Sequence, residues 1–178
     1  MFLRQFRRFL TQGGHSITED PEDSYDVLFV NSFMVPYRLV RLAKQRNPDI
    51  TIVQRVDGAA RDYGRSGESD MEQALVSLLA DVAIFQSEYG LYATRHKFDV
   101  IRRDGPVIHN PVDVLTFCPE GEKAEVPGSP NVCHTTFSTN PLKGVASLYA
   151  VARQNRDINF LLCGRYENPP ALPNLHLL

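Results

Sequence analysis

Apolar positions along the chain fall in short clusters whose spacing switches between strand and helix periods. Residues 25–31 (YDVLFVN) form a compact apolar run of strand length. Residues 36–46 have helical spacing and stop at Asn47-Pro48. Residues 50–56 (ITIVQRV) are β-branched and end on the turn signal Asp57-Gly58. A polar, glycine-bearing loop runs to about Gly67, after which Ser69, Asp70 and Glu72 make the acidic first turn of a predicted helix through Ala80. Strands are predicted at 82–85 and 106–109, and Ser87 suits the cap of the helix between them. Residues 118–130 (CPEGEKAEVPGSP) are poor in apolar content and read as a linker. Beyond it come a predicted strand at 131–135, a helix at 141–153, a strand at 158–163 and a final strand opening at 174–178.

Strand–helix alternation of this kind predicts an α/β fold with parallel sheets covered by helices. Ligands of such sheets sit beyond the carboxyl ends of the strands. Asn31, Arg55, Asp57, Gln86 and Asn110 all fall at those ends, where polar residues are also common for structural reasons.

The first eleven residues carry Arg4, Arg7 and Arg8 and no acid, with Phe2, Leu3, Phe6, Phe9 and Leu10 near one helical face. An amphipathic helix packed on a sheet and closed by Gly13-Gly14 is the first reading. A membrane-surface helix or targeting peptide is the second, and it leaves peripheral membrane contact open.

Composition changes little in this picture. The 178 residues are 43% hydrophobic and 22% charged, with a formal net charge of −2, which gives no reason to expect nucleic acid as a partner. Apolar runs fall short of the ~20 residues that cross a bilayer. Cys118, Cys133 and Cys163 lack metal-ligand spacing and read as buried free thiols of a reducing, cytoplasmic compartment. No metal constellation is apparent, and no cofactor is expected.

The candidate chemistry concentrates in three segments. In Ser138-Thr139-Asn140-Pro141-Leu142-Lys143-Gly144, Asn140 suits a helix cap and Pro141 the first helical position, which puts Lys143 in the first turn. A cation there opposes the helix dipole unless an anion, such as a diphosphate, is held by the free N–H groups. The alternative is a lysine reaching into solvent. Gly164 and Arg165 close the next strand, either to admit a phosphate or as a simple turn with a surface arginine. Arg55 and Asp57 stand two apart, as a local ion pair or as a site in which Asp57 orients or deprotonates an acceptor hydroxyl. His109 and His134 read as packing residues.

Five segments together resemble one family, the group 1, glycogen-synthase-like retaining glycosyltransferases of the GT-B fold. The helix ending in Gly13-Gly14-His15 resembles that family's first helix and its Gly-His turn. Residues 53–58 (VQRVDG) resemble the R-hydrophobic-D-G segment of one branch, and 80–88 (ADVAIFQSE) its A-D-x-x-I-x-Q-S-E strand. Residues 107–119 (VIHNPVDVLTFCP) resemble V-I-x-N-G-V-D-x-x-x-F-x-P, the hinge segment, which here carries Asn110 and Asp113. Residues 137–144 with Cys163-Gly164-Arg165 resemble the start of the nucleotide-sugar domain.

The resemblance implies a donor, a nucleoside diphosphate sugar, and a hydroxyl acceptor. It implies that Lys143 contacts the donor diphosphate, with Ser138, Asn140, Gly144, Gly164 and Arg165 nearby, and that Asp57 and Arg55 lie near the reaction centre. It further implies an incomplete, acceptor-side Rossmann-like domain over 1–117, a linker over 118–130 and the opening of the donor domain over 131–178.

Several positions depart from the pattern. Phe137 stands where many relatives carry an arginine, and Pro111 where they carry glycine. The family's first strand with its glycine-rich loop, and its pair of donor-gripping glutamates, have no counterpart in these 178 residues. Two further expectations therefore stand beside a hexosyltransferase: a non-catalytic nucleotide-binding remnant, and an unrelated doubly wound nucleotide-binding protein. The run at 25–31, as a sheet edge, also predicts self-association.

Overall fold

Val27–Asn31 (β1), Thr51–Val56 (β2) and Val82–Phe85 (β3) pair in parallel in the order β1-β2-β3. The protein is described by a computed structural model covering residues 2–121, 125, 126, 128 and 130–178. A second parallel sheet joins Asn131–Thr136 (β4), Asn159–Gly164 (β5) and Leu175–Leu177 (β6) in the order β4-β5-β6. The two sheets share no strand, and the chain divides into the compact units Met1–Val112 and Asp113–Leu178. Both units are thus α/β, in an arrangement compatible with a Rossmann-like fold.

In the first unit β2 is the central strand, with Ile52, Gln54, Arg55 and Val56 buried. Side chains alternate across a strand. Leu28, Val30 and Ile52 accordingly meet Val40 of Tyr37–Arg46 (α2) and Val76 of Glu68–Leu79 (α3) in one apolar cluster. Burying each of Val40, Ile52 and Val76 is worth roughly 1.5–3 kcal/mol. Pro36 offers α2 no side-chain cap, but Glu72 on α3 accepts a hydrogen bond from the Tyr37 N–H at 2.9 Å and fills that role. Phe29 points the other way, and Phe6 of Phe2–Gln12 (α1) packs on it with ring centroids 4.6 Å apart. That contact accords with the sheet-packed reading of the first helix, while Phe9 stays 66% exposed.

The predicted strand at 106–109 is not formed as such. A single parallel bridge joins Phe85 to Val107, and the chain around it follows β3 through Ala83 N–H to Asp104 O, Phe85 N–H to Pro106 O and Ile108 N–H to Phe85 O. Pro106 has no N–H to extend the ladder. The approach is so close that a Cβ at Gly105 would lie 1.6 Å from Ala83 O.

The second unit corrects the helix predicted at 141–153. Pro141–Lys143 makes a short 3-10 turn, Gly144 then takes φ 75°, and the α-helix proper is Val145–Gln154 (α5). A left-handed residue cannot lie within a right-handed helix, so the two pieces are separate. Phe160 and Leu162 of β5 and Ala152 of α5 are buried. Asn174 Nδ2 donates to the carbonyls of Ala152, Asn155 and Ile158, fastening the end of α5 beside the start of β5. Of the predicted linker, Glu120, Glu125, Gly128 and Pro130 are exposed, and 122–124, 127 and 129 lie outside the described residues.

Candidate functional site

Parallel pairing delivers the carboxyl ends of β1, β2 and β3 to one edge of the sheet. Asn31 is in register with Arg55, and Val56 with Phe85, so Gln86 follows directly beside Asp57. Asn110 arrives from the segment bridged to β3. The five residues singled out at strand ends form one hydrogen-bonded group. Arg55 Nη1 donates to Asn31 Oδ1 at 2.7 Å and pairs with Asp57 Oδ1. Arg55 Nη2 donates to Asn110 Oδ1 at 2.9 Å. Gln86 Nε2 donates to Asp57 Oδ1 at 2.5 Å, and Asn110 Nδ2 donates to Gln86 Oε1 at 2.5 Å.

Exposure divides the ion pair unequally. The Arg55 side chain is 9% exposed and that of Asp57 is 44% exposed. The cation is sealed among its partners, while the carboxylate borders an open cleft lined also by Ser32, Gly58, Tyr63, Arg65 and Gln73. With a volume of about 90 Å³, the cleft falls well below the roughly 300–1,000 Å³ that encloses a whole small-molecule ligand. It has room for a hydroxyl group and its carbon.

No family model matches the chain, and no curated protein does. The site therefore rests on its own geometry.

Ser32, Tyr63, Arg65 and Gln73 of the cleft were not singled out from sequence. Ser32 is fully buried with φ 56°, an unusual conformation for a residue with a side chain. It is held by its N–H donating to Arg55 O at 2.7 Å and by Oγ donating to Gln73 Oε1 at 3.4 Å. Gln73 Nε2 donates in turn to Gly58 O at 3.0 Å and sets the loop after β2. Ser32 was findable as the neighbour of Asn31 at a strand end. Gln73 and Tyr63 give no local signal, because only the packing of α3 and of the 3-10 turn Ala60–Tyr63 brings them to the cleft.

In the second unit, the ends of β4 and β5 hold the other candidates. Arg165 N–H donates to Thr136 O at 2.7 Å, and a Cβ on Gly164 would lie 2.1 Å from that same oxygen. Glycine is thus required here by the approach of backbone to backbone. Ser138 Oγ accepts from Asn140 N–H at 3.2 Å, and Asn140 Oδ1 accepts from Leu142 N–H at 2.9 Å. The Asn140 cap serves the 3-10 turn, whereas α5 starts at Gly144 with no side-chain cap. Lys143 is exposed immediately before that start, outside the first turn of α5 where the sequence had suggested it. The Arg165 side chain is exposed and pairs with Glu167 at 3.5 Å.

Of the two histidines read as packing residues, His134 packs on Tyr166 with ring centroids 5.8 Å apart, and His109 is exposed and does not pack. His134 Nδ1 lies 2.7 Å from Tyr166 Oη and Nε2 donates to Lys143 O at 3.2 Å, while Tyr166 Oη donates to His134 O at 2.6 Å. His134 therefore ties the Lys143 turn to β4. The cysteines are not buried: Cys133 is exposed, and Cys118 and Cys163 are half-buried. Asp113 accepts from Leu115 N–H at 3.1 Å and Thr116 Oγ1 at 3.0 Å, closing a local turn. Ser87 Oγ accepts from Gly90 N–H at 3.0 Å as the cap of Glu88–Tyr92 (α4). Among the described residues no cluster of three His, Cys, Asp or Glu side chains could hold a metal, and no helix is long and apolar enough to cross a membrane.

Proposed function

We propose that the chain is part of a GT-B glycosyltransferase that moves a hexose from a nucleoside diphosphate sugar to a hydroxyl acceptor. In this reading the first unit belongs to the acceptor-side Rossmann-like domain and the second to the donor domain. The observation that carries the reading is the unequal burial of Arg55 and Asp57. A sealed guanidinium and the Gln86 amide fix one carboxylate oxygen, Oδ2 makes no protein hydrogen bond among the described residues, and the half-exposed Asp57 lines a cleft of hydroxyl size. Such a carboxylate is arranged to accept a hydroxyl proton in a defined direction. In the second unit, the uncapped N–H groups at the start of α5, the exposed Lys143 and the nearby Asn140 and Ser138 suit an anionic diphosphate.

The test is protein-observed amide NMR of the isotope-labelled whole chain titrated with uridine, guanosine and adenosine diphosphates and their hexose derivatives. Binding of one class, with amide shifts at Val145, Ala146 and Ser147, is the expected result. If none of these compounds binds, or if binding moves other amides only, the donor assignment is wrong.

A further inference from the structure

Cys133 and Cys163 are separated by 30 positions in sequence, yet their Sγ atoms lie 3.7 Å apart. They do not face each other directly: Cys133 is in register with Leu161, and Cys163 with Thr135. Residues 133 and 135 of β4 share a face with 161 and 163 of β5, so the two thiols are diagonal neighbours on that face. We infer that Cys133 and Cys163 are a redox-modifiable dithiol, oxidised to an intramolecular disulfide by a low-molecular-weight disulfide such as oxidised glutathione.

Three features support a bond between these two sulfurs. The 3.7 Å separation is already van der Waals contact, and a disulfide requires closure to ~2.0 Å. Cys133 is exposed, so an external oxidant reaches the first sulfur without local unfolding. Among the described residues β4 pairs with β5 alone, as the outer strand of the order β4-β5-β6, so no second strand on its other side opposes the small shift that closes the bond. Partial desolvation, and then the neighbouring Cys163 sulfur, raise the Cys133 thiol above its ordinary range, so attack quickens as the pH rises.

The chemistry balances in two exchanges. The Cys133 thiolate attacks one sulfur of the oxidised glutathione, forming a mixed disulfide and releasing one glutathione thiolate. Cys163, as its thiolate, then attacks the Cys133 sulfur of that mixed disulfide and expels the second glutathione. The protein loses two protons and two electrons, and the oxidant becomes two molecules of reduced glutathione.

The bond would cross-link β4 and β5 one residue before Gly164, whose contact with Thr136 O sets the end of both strands. Cys118 provides an internal control, because its Sγ is near Leu115 O at 3.9 Å and near neither other thiol. The experiment incubates the reduced full chain with oxidised glutathione at mildly alkaline pH, alkylates remaining thiols and reads intact mass and peptide maps. The expected product has lost two hydrogens, retains one alkylatable thiol at Cys118 and contains a 133–163 linked peptide. Cys118→Ser must still form the link, and Cys133→Ser must stop at a glutathione adduct or remain reduced. Stable glutathione adducts on wild-type Cys133 without linkage, linkage through Cys118, or no oxidation would each overturn the inference.

Discussion

Gln86 Nε2 donates to the Asp57 Oδ1 that Arg55 also binds, so one carboxylate oxygen receives an amide from the end of β3 and a guanidinium from β2. Three strand ends are locked by this arrangement, because Arg55 reaches Asn31 of β1 as well. Arg55 is the member whose loss leaves most groups without their partner. Arg55→Met should destabilise the first unit by about 1.5–3 kcal/mol, the range for hydrogen bonds to a charged group. Asp57→Asn should cost less than about 1 kcal/mol, since its half-exposed carboxylate is screened by solvent. Urea titration followed by circular dichroism measures both. Equal costs would mean that the pair is not divided into a sealed support and an accessible carboxylate.

Lys143→Ala should weaken nucleoside diphosphate binding by about 1.5–3 kcal/mol, the contribution of a charged donor to an anion. Isothermal calorimetry on the wild-type chain and the variant measures it. An unchanged affinity would remove Lys143 from the proposed donor site.

Gly164→Ala adds a Cβ that would stand 2.1 Å from Thr136 O, at a φ of 125°. Neither the clash with backbone nor the conformation can be relieved by a side-chain rotation. A loss of about 3 kcal/mol or more is expected in the second unit. Hydrogen exchange at Arg165 N–H, which donates to the same oxygen, should rise in parallel. Near-wild-type exchange there would show that the strand ends tolerate separation.

Asp62 binds Lys97 Nζ at 2.6 Å and accepts from Tyr89 Oη at 2.7 Å. The Lys97 contact first, and the Tyr89 hydrogen bond second, hold the Asp62 carboxyl below its ordinary range. A carboxylate depressed by folding adds stability above its unfolded pKa and loses it as the pH falls through the lower folded value. Wild type should therefore be more stable than Asp62→Asn near neutral pH, with the gap closing as the pH drops below about 4. Urea midpoints across that range are the measurement. A gap that persists in acid would show that the ion pair is not its source.

The sequence by itself was sufficient for the alternation of elements. Val82–Phe85 coincides with its predicted strand, and β1, β2, β4 and β5 lie within two residues of theirs, because apolar runs bounded by Asn-Pro or Asp-Gly leave little choice locally. The placement of Asn31, Arg55, Asp57, Gln86 and Asn110 at strand ends was legible for the same reason. Their union into one group was not, since it depends on the order β1-β2-β3 and on a register that no local signal specifies.

Tertiary structure alone decided the rest. Gly144 at φ 75° separates the Lys143 turn from α5, although the spacing from Pro141 onward fits one continuous helix. Pro106 and the close passage of Gly105 reduce a predicted strand to a bridge. Gln73 reaches the cleft through the docking of α3, and Cys133 meets Cys163 through the slant of two paired strands. Periodicity encodes which face of an element is apolar, but contacts between distant residues arise only when those faces are packed together.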